Sequence, residues 1–550
     1  MIPLMSRFIK KFFVFVIVFP SMFFHNMGIS STALSASFLP DADYIIRTAE
    51  EEGKVITVAP DGSADFKTLQ DALKEAKIGD TIEMAPGTYK LDEPYTFSQS
   101  INLTGKNRDN TIISYDGKND SLFLFTNGGP YSLTNLTISS KNSWMIVEVK
   151  DSELNATQVN FHGGKSKPDV KVTDIGIGLF YNGNSSGVID RCVFTNGSGA
   201  GLYIQKTSRV EVNRSRFLSL NIGVVFTQNS SGVLTSNELG INQRGVLLVG
   251  NSKVKIEESE FSENGLDAIK LENQSTAEIS NNAFDQNRNG INLDDDSSAQ
   301  ISNNMILENK NIGIILDGKS NAKITANRIS GNAVYGILIF HESKATIDKN
   351  EVVKNKKTGI YLESSSISTV TNNKINQNPG SGIRVSDNSE PIIRENTITE
   401  NDGGGIGYTG KKGGQAIKNT IAKNKPSGIF VQGQAQPFLE ENTISDHPEN
   451  GIYYYKNGGG KAKNNLITAN EYSGIVTDDE AEPNLDGNRC NDNANMGFYI
   501  IGSSSPMLIN NEARRNNYGI YIDKNANPEI KENTFEDNTK KNIEDLRNED

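Results

Sequence analysis

Aliphatic residues two apart, opened by a glycine, recur along most of the chain. The phrase is Gly, aliphatic, any residue, aliphatic. It stands as Gly290-Ile-Asn-Leu293, Gly336-Ile-Leu-Ile339, Gly382-Ile-Arg-Val385 and Gly519-Ile-Tyr-Ile522. Its first residue falls at 178, 201, 223, 245, 268, 290, 313, 336, 359, 382, 405, 428, 451, 474, 497 and 519, in steps of 22 or 23. Fifteen of these sixteen anchors are Gly and the other is Ala268. Apolar residues two apart are the alternation of a strand, which shows successive side chains to opposite faces. Two further apolar columns keep the same period. One runs through Ile279, Ile301, Ile324 and Ile347, the other through Phe284, Ile306, Ile329 and Val352. Three short strands per repeat follow.

Two polar columns are locked to this pattern. Asn recurs at 237, 282, 304, 327, 350, 373, 396, 419, 442, 465, 488, 511 and 533. Five residues on, a second Asn column runs from 264 to 538, with His447 in one place. A period near 22 is too short for paired-helix repeats. Leucine-rich repeats share the length but not the Leu spacing. The architecture that satisfies all five columns is an all-β, right-handed, single-stranded parallel β-helix, a solenoid whose coils stack ~4.8 Å apart. The Asn columns are then side-chain amide ladders at the turns, at corners where Asn and Gly tolerate a left-handed backbone. Three less regular turns precede Gly178, for about eighteen coils in all. Cys192 and Cys490 lie thirteen coils apart, ~62 Å at that rise, which excludes a disulfide between them.

The ends differ from the repeat. Arg7, Lys10 and Lys11 precede an apolar run from Phe12 to Phe24, broken by Pro20, and Ala33, Ser35 and Ala36 offer a cleavage site. Residues 1–36 read as a secretory signal peptide, followed by an extension over 37–54 and no later transmembrane segment. Residues 55–110 read as an N-terminal cap and first coil. There Leu69, Ala72, Leu73 and Ala76 share one helical face after Asp65 as N-cap. The coil body is expected over 111–538, with a longer loop from His162 to Asp174 and a charged tail over 539–550. The uncapped far end points to end-to-end self-association.

The stretch Val55-Ile-Thr-Val-Ala-Pro-Asp-Gly-Ser-Ala-Asp-Phe-Lys-Thr-Leu-Gln-Asp-Ala-Leu73, with Gly79-Asp-Thr-Ile82 and Ala85-Pro-Gly-Thr-Tyr89, resembles the entry segment of the pectate-lyase-like β-helix superfamily. It looks most like the start of pectin methylesterases. The later coils resemble the carbohydrate-binding and sugar-hydrolase β-helix repeat, also found in NosD-like periplasmic accessory proteins. The resemblance implies the fold and an exported, polysaccharide-active or surface protein. It does not extend to the catalytic motifs. Of the polygalacturonase signatures only an Asp-Asp pair, Asp294-Asp295, is present. The epimerase, methylesterase and Gly-rich calcium motifs are absent.

Candidate chemistry lies on the outward face of the anchored strand, at the second and fourth residues after each anchor. Glu272, Asp294 and Asp317 should stack ~4.8 Å apart, with Asp295 and Asp296 widening the patch. Like charges this close need a proton, a cation or a compensating base, which makes Glu272, Asp295 and Asp296 candidate ligands for Ca²⁺ and Lys270 the alternative counter-charge. Asp294, Asp317 and Lys270 are the catalytic candidates, as acid and base of a glycoside hydrolase or as the site of a uronan lyase or epimerase. Asn292, Tyr361, Arg384, Tyr453 and Tyr455 are candidate substrate contacts. Tyr361, Phe430, Tyr453, Tyr455, Tyr499 and Tyr521 line one face, suited to stacking on sugar rings. A net charge of −12 argues against nucleic acid. The partner expected is an acidic or neutral polysaccharide. The reading that competes with all of this is a non-catalytic surface or structural β-helix, or a NosD-like accessory protein. Against the latter, His162, His341 and His447 form no metal-ligand spacing.

Overall fold

A computed structural model describes residues 53–165 and 176–547. The signal peptide read over 1–36, nearly all of the 37–54 extension and most of the loop expected before Asp174 lie outside the described residues. Each coil carries three strands in parallel register. A representative coil has Asn289–Leu293 in the anchored sheet, Ser298–Ser302 in a second sheet and Met305–Leu307 in a third. Residues one period apart become neighbours: Ile291 pairs with Ile314, Ile301 with Ile324 and Ile306 with Ile329. These isoleucines are fully buried and belong to one continuous core running the length of the coils. Burying a side chain of this size contributes ~2 kcal/mol relative to exposure, repeated three times per coil.

The second sheet holds 21 strands, more coils than the eighteen expected. The early coils were hidden because their lengths vary. Successive register partners there are Val55 and Thr81, Thr81 and Asn102, Asn102 and Ser132, Ser132 and Asn155, then Ala156 and Ile189. No fixed period links them. At the far end, residues 539–550 were read as a tail, yet Lys541–Asp545 is one more strand, pairing Ile543 with Ile520.

Both Asn columns are ladders. Asn332 donates through its backbone N–H and its amide Nδ2 to Asn355 Oδ1, at 3.2 and 2.8 Å. The next Asn repeats the contact with Asn378. The second ladder extends back to Asn242, whose N–H donates to Asn264 Oδ1. A third column was not foreseen: Ser185, Ser208, Ser230, Ser252, Ser275, Ser297, Ser320, Ser343, Ser366 and Ser389 are all buried at the turn between the anchored and second sheets.

The backbone corrects two expectations. The left-handed corner residue is not the ladder Asn but its predecessor, as at Ala326 (φ 56°), Lys349 (φ 55°) and Glu395 (φ 55°). The anchor glycines do not serve the corner either. A Cβ on Gly290 would sit 2.5 Å from the carbonyl oxygen of Gly313, and one on Gly336 would meet Gly359 at 2.6 Å and the Asn355 amide at 2.9 Å. Gly is favoured there because successive backbones approach closely, and Ala268 is the largest residue among the sixteen anchors. In the coil of Lys541–Asp545 the anchor position holds Asn542 instead. Its Oδ1 accepts from Asn538 N and Nδ2 at 3.2 and 3.1 Å, taking the place of the next ladder Asn.

At the entry end, the one described helix spans Leu69–Glu75 and buries Leu69, Ala72 and Leu73. Its N-cap is Thr68, whose Oγ1 accepts from Asp71 N. Asp65, expected as the cap, instead accepts from the Thr57 N–H and hydroxyl. Cys192 and Cys490 are both free and buried.

Candidate functional site

The outward column two residues after the anchor runs in unbroken register through Lys270, Asn292, Ile315, Leu338, Tyr361, Arg384, Gly407, Phe430, Tyr453, Val476, Tyr499 and Tyr521. The coil places Tyr361, Phe430, Tyr453, Tyr499 and Tyr521 on one face, because each sits at the same phase of the repeat. Tyr455 lies two residues further along its strand and stacks on Tyr453, ring centroids 5.8 Å apart. Tyr499 and Tyr521 meet edge to face at 5.4 Å. The Arg384 guanidinium lies over the Tyr361 ring at 5.4 Å, a cation–π contact.

A diagonal contact joins this column to the residue four beyond the next anchor. Tyr361 bonds Ser386 at 3.2 Å, and Tyr453 donates to Asp478 at 3.0 Å. Lys270 makes the same diagonal to Asp294, Nζ to Oδ2 at 3.1 Å. The Lys270 side chain is only 8% exposed, against 36% for Asp294, so the ammonium depends on that carboxylate. Burial works to raise the Asp294 carboxyl. The Asp295 N–H, the Lys270 ammonium and His341 together bring it below the ordinary carboxylate value. Burial raises the hydroxyl pKa of Tyr361 and Tyr453, so both stay protonated donors.

Beside this pair lies a second one that sequence reading missed. Arg244 Nε contacts Asp267 Oδ2 at 3.3 Å, and Asp267 Oδ1 accepts from Asn289 Nδ2 at 2.9 Å and Asn292 Nδ2 at 3.1 Å. Asp267 is buried on the outer face. Arg244 and Asp267 occupy the same phase in adjacent coils, just before the anchor, and that phase was a readable signal. A third pair closes the patch: Asp317 Oδ1 bonds His341 Nδ1 and also accepts from Gly318 N. His341 is exposed.

Glu272, Asp294 and Asp317 do share a column, but they do not act as one cluster. Asp294 is bound to Lys270, Asp317 to His341, and Asp295 accepts from the Asn273 N–H and amide, both at 3.0 Å. Among the described residues no three His, Cys, Asp or Glu side chains gather into a set that could hold a metal ion. The Ca²⁺ ligands expected at Glu272, Asp295 and Asp296 are therefore not assembled. The counter-charge to Asp294 is Lys270, and Asp317 is hydrogen-bonded to His341.

The chain matches the family model described as the right handed beta helix region over residues 101–255, 147–306, 223–367, 267–416 and 409–546. It belongs to that family. Similar solved structures include a double mutant of the periplasmic alginate epimerase AlgG, 14% identical, covering 68% of this chain and 82% of that one at a TM-score of 0.37. A PL6 alginate lyase in complex with a trisaccharide is 13% identical, covering 66% and 86% at a TM-score of 0.39. Pectin methylesterase PemA from Erwinia chrysanthemi is 13% identical, covering 42% and 78% at a TM-score of 0.26. No curated protein matches the chain. At these scores the structural likenesses say nothing about this chain's chemistry.

Proposed function

We propose that this is an exported protein that binds a linear polysaccharide along the outer face of the anchored sheet. The observation that carries the reading is the single register column holding Tyr361, Arg384, Phe430, Tyr453, Tyr499 and Tyr521, with Tyr455 beside it. Rings presented in a row along an extended sheet offer flat apolar faces with polar edges, which suits the faces and hydroxyls of sugars. The Tyr455 and Tyr499 hydroxyls supply donors, the Tyr453 hydroxyl supplies an acceptor, and Arg384 supplies a fixed charge. Equilibrium binding to a panel of soluble polysaccharides, neutral and uronate-containing, tests it. Tyr453→Ala/Tyr455→Ala should weaken the best ligand at least tenfold. Equal affinity of the variant and the parent for every responsive ligand would refute the reading.

A second reading, catalysis at the charged end of the column, is favoured by the Asp317–His341 pair. The Asp317 contact at Nδ1 orients the imidazole and leaves Nε2 directed away from that carboxylate, the arrangement of a general base. Asp294, held ionised beside Lys270, is unsuited to be the protonated acid that a glycoside hydrolase needs. Elimination from a uronate, as in a lyase, fits better: His341 takes the C5 proton, the electron pair forms the C4–C5 double bond, and the O4 glycosidic oxygen leaves and is protonated by water, with Lys270 supplying charge. Absorbance of unsaturated products on a polyuronate panel checks this. Activity should vanish in His341→Ala and fall in Asp317→Asn. An active His341→Ala variant would remove the catalytic reading and leave the binding one standing.

A further inference from the structure

The second sheet carries a feature that the anchored-sheet reading does not use. Its outer face holds a shallow groove of about 720 Å³, lined among others by Lys253, Lys255, Glu278, Gln300, Asn321 and Lys323. The groove lies over Ala277, Ala299 and Ala322, all inward and buried. Two outward columns form its floor. One reads Lys255, Glu278, Gln300, Lys323 and the other Lys253, Thr276, Ser298, Asn321. Three lysines and one glutamate line a concavity on a chain of net charge −12. Lys255 is paired with Glu257 at 2.7 Å. Lys253 and Lys323 have no carboxylate within ion-pair distance among the described residues.

We propose that this groove is a second binding site, independent of the anchored sheet, for a linear anionic glycan lying parallel to the stacking direction. Lys253 holds an acidic group at one end. Lys323 holds another three rungs away, ~14 Å at the rise of a parallel sheet. The hydroxyl and amide row of Thr276, Ser298, Gln300 and Asn321 faces the neutral sugar hydroxyls between them. Glu278 disfavours an acidic group at its own rung, so the site selects the spacing of charges as well as their sign. Carboxylate and sulfate groups both meet this chemistry.

Isothermal titration of the full chain with oligogalacturonate, its carboxyl-reduced neutral counterpart and a heparin oligosaccharide tests the proposal, each at low and physiological salt. At least one anionic probe should bind, more weakly as salt rises, and the neutral one should not enter the groove. The preferred anionic probe identifies carboxylate or sulfate as the recognised group. Lys253→Glu/Lys323→Glu should weaken that probe about tenfold, the sum of two exposed charge contacts. Lys253→Gln/Lys323→Gln should lose less, in the same direction. The same probes are titrated into Tyr453→Ala/Tyr455→Ala, which removes two rings of the anchored sheet. The proposal is overturned if no anionic probe binds, or if the lysine variants keep the parent's affinity. Loss in the tyrosine variant alone would assign the binding to the anchored sheet instead.

Discussion

The outer face of the anchored sheet has two halves built on one backbone. From Arg244 to His341 its contacts are polar links between coils, the ion pairs Arg244–Asp267 and Lys270–Asp294 and the Asp317–His341 hydrogen bond. From Tyr361 to Tyr521 they are rings, with hydroxyls reaching the next coil. The same diagonal serves a Lys–Asp pair in one half and Tyr–Ser and Tyr–Asp bonds in the other. A coil held together by its ladders and its buried isoleucines is indifferent to what its outer phase carries. Neighbouring stretches of one column are therefore free to hold different chemistry. The two halves should also fail differently when cut.

The largest contrast lies in stability. Asp294→Ala leaves the buried Lys270 ammonium without its partner and should cost ~2 kcal/mol in urea unfolding, less than the penalty for a fully buried pair because Asp294 is partly solvated. Replacing both, as Lys270→Met/Asp294→Asn, should recover most of that loss. Next in size is binding. Removing one ring of the aromatic half, as in Tyr499→Ala, should weaken a bound polysaccharide by ~1 kcal/mol, read by titration, and Asp294→Asn should leave that affinity unchanged. A pH effect separates the halves further. His447 replaces a ladder Asn in the aromatic half, where its Nδ1 accepts from Asn424 N at 3.0 Å. Burial lowers its pKa below the ordinary 6.5. The unfolded chain therefore binds the extra proton first, and stability should fall as pH drops below about 6.5 toward the folded value. Thermal melts from neutral pH to about pH 5 should show this, and His447→Asn should flatten the dependence by restoring the amide. Asp294 acts lower on the scale. Its folded pKa lies below the ordinary 3.8, so its contribution is complete above that value and is lost as pH falls through the folded one. The smallest effect is Tyr453→Phe, which removes one half-exposed hydroxyl bond and should cost no more than ~1 kcal/mol.

The repeat was legible because close packing forces identity. The anchor is Gly where a carbonyl lies 2.5 Å beneath its missing Cβ, and the ladder favours Asn because one amide donates and accepts in line, with Ser259 and His447 keeping only the acceptor half. The left-handed corner residue was not legible. Its conformation is imposed by the ladder on either side, so Ala326, Lys349 and Glu395 serve equally well. The serine column escaped notice because Ser is common on exposed turns, and only burial distinguishes these ones. At the candidate site the period placed Lys270, Asp294 and Asp317 in the correct columns. It did not say which pairs with which. Diagonal contacts depend on side-chain reach between coils, and that is how the expected carboxylate cluster resolved into separate pairs with Lys270 and His341.

Hydroxyl-radical footprinting of the tyrosines, with and without a saturating polysaccharide, tests the central claim most directly. Protection should appear together at Tyr361, Tyr453, Tyr455, Tyr499 and Tyr521, while Tyr95, on the same sheet near the opposite end, keeps its free rate. Protection absent from that row while the ligand is demonstrably bound would contradict the account.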